Sequence, residues 1–445
     1  MAGVLTLLAA ACGSGSGAER PNVVLVLLDT LRPDHLELYG YPEATAPYLS
    51  ALGDDSAVFL RAHSSSAWTP PSTATVFTGL YPTNHGMVHG FETPQWVQKQ
   101  IEAGNPVEME IATLPVDHDT LPQRLKAAGY ATYGVTTNVH INQYFGFDRG
   151  FDWFEHHEDE KAGVVAEMVL AKKEELLAGE EPYFLYLHLN DVHKPYEAQA
   201  PWYRGSEDHH EDVIARYNSE ISYVDDVLAR LHRELAWDDN TVVCFVSDHG
   251  EAFLEHGYYG HGSTIHSELN RVLFLVHGPG VAPGRIELNV SLVDVAPTLL
   301  ELAGVALTGS LDGLSLRHVL RGESRADAAE SLETRWLFAH RRGLSKNDRL
   351  NLEELGKDHW SVVRGDWRLI ENQIEGTLAL YHLPDDPFEQ ADVGDQHPDV
   401  REELLRLLRR FQEQGIREAG SRVEVTMDEE LLRELEKMGY VGGDG

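Results

Sequence analysis

From residue 22 onward the chain alternates short apolar runs with longer amphipathic stretches, and this rhythm constrains the fold more than any other feature. Residues 23–28, 132–136, 184–188, 241–247 and 272–277 are too short and too rich in β-branched and aromatic side chains for buried helices, so they read as strands. Residues 121–128, 164–177 and 212–235 carry helical periodicity between them. Strands separated by helices make parallel βαβ units, which predicts an α/β domain on a mostly parallel sheet. A turn at Pro279-Gly280 leads into residues 290–303, read as a helix against that sheet.

At 445 residues, 42% of them hydrophobic, the chain exceeds one ordinary domain. The pattern changes near residue 330. Residues 360–370 read as two strands around Gly365-Asp366, residues 378–383 as a third, and residues 400–412 as an amphipathic helix. This predicts a small antiparallel sheet with a helix, followed by a charged helix over residues 427–438. The expected division is therefore a leader and linker over 1–20, a large α/β domain over 21–330, an α+β subdomain over 331–425, and a helix and tail over 426–445.

Asp and Glu outnumber Lys and Arg by 72 to 36, and the net charge of -36 disfavours nucleic acids and anionic membrane surfaces as partners. After residue 12 no stretch is long and apolar enough to span a bilayer. The two cysteines form no disulfide framework. Cys244 lies inside an apolar run and reads as core. Cys12 follows a short apolar run and precedes a Gly-Ser linker, which resembles a bacterial lipoprotein signal. The expectation is an exported protein, periplasmic or on the outer surface, attached to a membrane only through a lipidated Cys12.

In an open parallel sheet, functional side chains gather beyond the carboxyl ends of the strands. Asp29 directly follows residues 23–28, and Asp248-His249 directly follows residues 241–247. Two carboxylates and an imidazole delivered to one edge suit a divalent ion such as Zn²⁺ or Mn²⁺, although either segment alone reads better as a turn or loop. The string Thr69-Pro70-Pro71-Ser72 places a helix start near Pro71. Thr69 then stands where helix N–H groups favour an alkoxide or anionic ester, or it is an ordinary N-cap.

Taken together, these segments resemble the sulfatase family of the alkaline-phosphatase-like superfamily. The similarity is carried by Asp29, by Thr69 to Gly86, by Phe184 to Tyr196 with its His193-Lys194-Pro195, and by Ser247-Asp248-His249-Gly250-Glu251. It continues through Arg271 to Gly280, Leu292 to Thr298, Asp312-Gly313 and Leu380 to Pro387, in order along nearly the whole chain. The resemblance implies a three-layer α/β sandwich with a mostly parallel central sheet, plus the small C-terminal antiparallel sheet. It implies Asp29, Asp248 and His249 as metal ligands, with Thr69 as a nucleophile that also touches the metal. His193 and His261 are implied as catalytic, contacting the anionic group or protonating the leaving oxygen.

The chain also departs from the family pattern. Sulfatases carry Cys or Ser in a Cys-x-Pro-x-Arg string and convert it to formylglycine; here the string is Thr69-Pro70-Pro71-Ser72-Thr73. Threonine cannot be converted, because its β-carbon bears a methyl group. The family arginine is Thr73, and Thr137 stands in place of a catalytic lysine, with Asn138 beside it as a candidate donor to a phosphoryl oxygen or a turn cap. The usual Asp-Asp pair is Asp29-Thr30, and Asp-Asn is Asp248-His249. Imidazole in place of oxygen ligands favours Zn or Mn over Ca or Mg. The expectation is a metal-dependent hydrolase of small-molecule, glycan or lipid phosphate esters, acting through Thr69. The alternatives are a sulfuric-ester hydrolase, a phosphoglycol or phosphoethanolamine transferase, and a glycan-binding family member without catalysis. Asp191, His193 and His261 remain candidates for convergence on a second ion.

Overall fold

The strand Asn22–Leu28 (β1) sits at the middle of an eight-stranded sheet, and its sequence explains why. Residues 23–28 are all apolar and all buried, as a strand covered on both faces requires. Val23, Leu25 and Leu27 enter one core, while Val24, Val26 and Leu28 enter another on the opposite face. The computed structural model describes residues 20–88, 99–100, 103–158, 160–262, 264–323, 331–342, 358–416 and 422–427.

The other strands of this sheet are Ala57–His63 (β2), Ala131–Thr136 (β4), Trp153–His156 (β5), Tyr183–Leu189 (β6), Thr241–Ser247 (β7), Phe274–His277 (β10) and Gly284–Ser291 (β11). Their order is β11-β2-β10-β7-β1-β6-β4-β5. Pairing is parallel throughout, except that β10 runs antiparallel to both β7 and β2. Helices Thr69–Thr78, Leu121–Ala127 and Val295–Leu302 cover one face, sharing its core through Phe77, Leu125 and Leu299. Helices Pro47–Asp54, Ala162–Ala171 and His209–Glu234 cover the other through Leu49, Val165 and Leu228. The result is the expected three-layer sandwich.

The remaining strands are Val107–Ala112 (β3), the ribbon Ala252–Phe253 (β8) and Tyr259–Gly260 (β9), Leu337–Arg341 (β12), His359–Arg364 (β13), Trp367–Asn372 (β14), Thr377–His382 (β15) and Arg422–Met427 (β16). Strands β12 to β15 form the small antiparallel sheet in chain order. Its covering helix, Pro398–Gln412, packs Leu404, Leu408 and Phe411 onto Trp360, Val362 and Leu369. Tyr81 and Val293 from the larger unit join the same cluster. Strand β16 pairs antiparallel with β3, across the 425/426 division drawn from sequence.

Several elements differ from the sequence reading. Residues 290–303 are not one helix: β11 runs to Ser291, a turn follows over Leu292–Asp294, and the helix begins at Val295. The carboxylate of Asp294 accepts the Ser291 N–H at 2.8 Å and pairs with Arg335, which fixes that corner. The stretch 164–177 is two helices, Ala162–Ala171 and Lys173–Ala178. The leader with Cys12 lies outside the described residues, as does the expected terminal helix beyond Met427.

A buried ion pair ties the small sheet to the larger unit. Arg368 on β14, with no solvent exposure, pairs with Glu389 at 2.9 Å and also donates to the Ile265 carbonyl and to Ser361. The second Glu389 oxygen accepts the Ser267 N–H at 2.9 Å. Removing one member of such a pair strands the other charge in a dry site, so Arg368→Ala is expected to cost about 3–5 kcal/mol, read as a shift in the urea unfolding midpoint.

Candidate active site

Strands β1 and β7 are parallel neighbours with Leu28 opposite Ser247, so the residues that follow, Asp29 and Asp248, leave the sheet side by side at its carboxyl edge. On the other side of β1, the Asp29 N–H donates to the carbonyl of Leu189, at the end of β6, at 3.0 Å. Asp29, Asp248 and His249 all have zero exposure, and their potential ligand atoms lie within 4.8 Å of one another.

Each of these side chains has one polar atom committed to the protein and one left facing the cluster. Asp29 Oδ2 accepts from Asn138 Nδ2 at 2.8 Å and lies 3.1 Å from His188 Nε2. Asp248 Oδ1 accepts the N–H groups of Thr30 at 3.2 Å and His249 at 2.8 Å. His249 Nδ1 donates to the Gly250 carbonyl at 2.9 Å, which leaves Nε2 as the lone-pair nitrogen. The atoms left over are Asp29 Oδ1, Asp248 Oδ2 and His249 Nε2. Asp248 Oδ2 is buried with no hydrogen-bond partner. His249 Nε2 stands 3.3 Å from Asp248 Oδ2 and 3.9 Å from Asp29 Oδ1. A tetrahedral ion with bonds of about 2.0–2.2 Å requires ligand separations of roughly 3.3–3.6 Å, so the donor set fits a small divalent cation.

The electrostatics agree. Burial pushes the Asp248 carboxyl up, and the Asp29 charge beside it pushes the same way. Burial acts upward on Asp29 too, but the His188 hydrogen bond and nearby imidazoles outweigh it and hold this carboxyl well below the usual range. Burial disfavours the His249 imidazolium, yet the two carboxylates shift it up. Two carboxylates in a dry pocket are short of positive charge, and a bound cation supplies it.

Thr69 is the first residue of its helix, which starts there rather than near Pro71. Pro70 and Pro71 occupy the first turn, where a missing N–H leaves no bond unmade. Thr69 Oγ1 sits 3.1 Å from His249 Nε2 and 3.4 and 3.5 Å from the Asp29 oxygens. The hydroxyl therefore joins the ligand cluster at the positive end of a helix dipole.

His193 and His261 flank this cluster. Their ring centroids are 4.9 Å apart, and the His261 ring is 4.7 Å from that of His249. His193 Nδ1 is held by the Lys194 carbonyl at 2.6 Å, and its buried Nε2 has no hydrogen-bond partner. Burial, with the neighbouring His261, holds the His193 imidazole below its ordinary value. His261 Nδ1 pairs with Glu251 Oε1 at 3.1 Å, which orients the ring and leaves Nε2 available.

Asn138 stands next to Asp29 as its hydrogen-bond donor. The Thr137 hydroxyl is bound instead to backbone, donating to the His188 carbonyl at 3.2 Å and accepting the Asn190 N–H at 3.0 Å. Asp191 does not join His193 and His261: both its oxygens lie 3.0 Å from the Ala162 N–H at a helix start. The sequence reading assigned no role to His188 or Glu251. Both were inside the matched segments, but only the fold shows that one braces a ligand and the other a catalytic candidate.

The sequence profile described as Sulfatase matches residues 21–305. An N-acetylgalactosamine-6-O-sulfatase of Bacteroides thetaiotaomicron is 23% identical, with the match covering 89% of this chain and 94% of that protein. Arylsulfatase K of Danio rerio is 33% identical over 172 residues, 38% of this chain, and the match spans only 31% of that relative's length. Among solved structures, a phosphonate monoester hydrolase of Agrobacterium radiobacter superposes with a TM-score of 0.68 at 19% identity, covering 89% of this chain and 96% of its own.

Residues that brace metal ligands typically change affinity by 10–100-fold when removed. His188→Ala is accordingly expected to weaken Zn²⁺ binding by about 10–100-fold in a chelator-competition titration, with the far-UV circular dichroism unchanged.

Proposed function

The chain belongs to the sulfatase family, and we propose that within it this protein is a metal-dependent ester hydrolase that attacks phosphorus through Thr69. The observation that supports this reading most is the position of Thr69 Oγ1, 3.1 Å from His249 Nε2 and beside both Asp29 oxygens. An oxygen nucleophile needs its pKa lowered, and a cation is the effective means in a buried site. A divalent ion held by Asp29, Asp248 and His249, Zn²⁺ or Mn²⁺ in preference to Ca²⁺ or Mg²⁺, would supply that charge and polarise a phosphoryl oxygen.

The chain's own residues then divide the work. Thr69 Oγ passes its proton to solvent water and forms the Oγ–P bond as the bond from phosphorus to the leaving oxygen breaks. The leaving oxygen takes a proton from an imidazole, His261 or His193, each of which has Nδ1 anchored and Nε2 available. Water then attacks phosphorus, giving one proton to the imidazole that protonated the leaving oxygen, and the Oγ–P bond breaks with Thr69 Oγ regaining its proton from solvent. The chemistry of the family relatives makes a glycan or other small-molecule ester the substrate class. The lipoprotein-like run before the Gly-Ser linker supports, as part of the same proposal, an exported protein attached to a membrane through a lipidated Cys12.

The test is turnover of matched aryl phosphate monoester, phosphodiester and sulfate esters. Thr69→Ala is expected to reduce phosphoester turnover by about a thousandfold or more. Chelation should do the same, with recovery on adding Zn²⁺ or Mn²⁺. Sulfate turnover exceeding phosphate turnover would return the protein to the sulfuric-ester hydrolases, and turnover that survives Thr69→Ala would remove the nucleophile assignment.

A further inference from the structure

A second cluster of ligand atoms lies at the opposite edge of the main sheet, where β7 begins rather than ends. His232 is in the last turn of helix His209–Glu234, Asp238 is in the connection to β7, and His277 ends β10, opposite Val243. The ligand atoms of these three residues lie within 4.8 Å of one another. His232 Nε2 is 2.8 Å and His277 Nε2 3.5 Å from the same oxygen, Asp238 Oδ1.

The hydrogen bonds behind the rings fix what the front atoms are. His277 Nδ1 faces the Asp55 carbonyl at 3.3 Å and Ser56 Oγ at 3.1 Å. A carbonyl only accepts, and the Ser56 hydroxyl already donates to the Leu52 carbonyl at 2.6 Å. Nδ1 must therefore carry the proton, which leaves the Nε2 of a neutral His277 as a lone pair aimed at a carboxylate oxygen. Two acceptors so placed are satisfied by a shared cation, either a proton on Nε2 or a bound metal ion. His232 Nδ1 lies 2.6 Å from the Tyr48 hydroxyl, which anchors the ring whichever of the two carries the shared proton. Imidazoles anchored through one nitrogen and presenting the other, with a carboxylate between them, make the ligand shell typical of zinc.

We propose that His232, Asp238 and His277 form an accessory site for Zn²⁺ or a similar borderline divalent ion, separate from the catalytic cluster. The ion clamps the end of the longest helix and the start of β7 to the end of β10. His232 and Asp238 also line an open surface hollow, with Tyr48, Leu52, Arg233 and Asp239 around it, through which water or a small ligand could reach such an ion.

The experiment counts bound metal on the full chain, stripped with chelator and re-equilibrated with Zn²⁺ alone. His277→Ala and Asp238→Asn should each bind one equivalent fewer than the wild type, with aryl phosphate turnover unchanged. The Asp238 side chain is 75% exposed, so its substitution leaves the fold intact even where His277→Ala does not. With Co²⁺ in place of Zn²⁺, the tetrahedral d–d absorption from this site should disappear in Asp238→Asn and persist in Asp248→Asn. A metal count equal to the wild type in Asp238→Asn would overturn the proposal and leave His277 as a protonated partner in a surface ion pair. Because the readout is a difference between proteins, the outcome holds whether or not the catalytic cluster loads.

Discussion

Two carboxylates, Asp29 and Asp248, are held side by side without solvent, and much of the surrounding structure answers that constraint. Desolvating an ion costs several kcal/mol even in a relaxed protein, and a like charge alongside adds to it. The sheet forces this proximity, because parallel strands in register end in the same plane and each continues into an aspartate. Relief comes from three directions: donors behind Asp29, backbone N–H groups behind Asp248, and a cation site in front of both. The donors settle which oxygen of each carboxylate faces forward. The second layer therefore defines the ligand geometry as much as the ligands do.

The loops around the cluster carry further consequences. Thr30 adopts a left-handed conformation with φ 56, a strained state for a β-branched residue. That turn aims its N–H at Asp248 Oδ1, while its hydroxyl donates to the Val192 carbonyl at 2.8 Å. One residue thus joins the β1 loop to the loop that carries His193. Glu251 performs the same office between the β7 loop and His261. Farther out, Arg368 and Glu389 hold the segment from Ile265 to Ser267, which continues the His261 loop. The small sheet consequently buttresses the active-site edge. Its presence in the fold has a physical reason that its own sequence does not disclose.

How much of this was legible depended on whether a residue's role was local. Strands β1 and β7 were plain, because a strand buried on both faces is a continuous apolar run with a sharp polar end. Strand β2 was missed because Arg61 interrupts its pattern, and β5 because it is a half-buried edge. Strand β11 went unread over residues 284–289, where Glu287 and Asn289 break the apolar run, and only its last two residues, Val290 and Ser291, were read into the following helix. The candidate ligands were legible because they follow strands. His188 escaped notice because it lies inside a strand, where one polar residue in an apolar run reads as a core irregularity. Asn138 was noticed for its position beside Thr137, yet its role depends on β4 and β1 both flanking β6, a fact of topology that no local pattern encodes.

The positions where family cations are replaced bear on what the site accepts. Thr73, in place of arginine, is fully buried. Thr137, in place of lysine, is tied to backbone. Neither can meet an anionic ester as a guanidinium or ammonium does. The protein as a whole carries a net charge of -36, so its long-range field opposes an incoming anion. Under the proposed chemistry, attraction falls to an ion held by the cluster and to the imidazoles of His193 and His261. Two carboxylates already neutralise a divalent cation, which leaves little excess positive charge for substrate. Under the proposed chemistry, that balance suits an ester carrying one negative charge, such as a phosphodiester, better than a dianionic monoester. In that proposed reading, replacement of both family cations by neutral threonine accompanies a change in the charge of the ester that the site accepts.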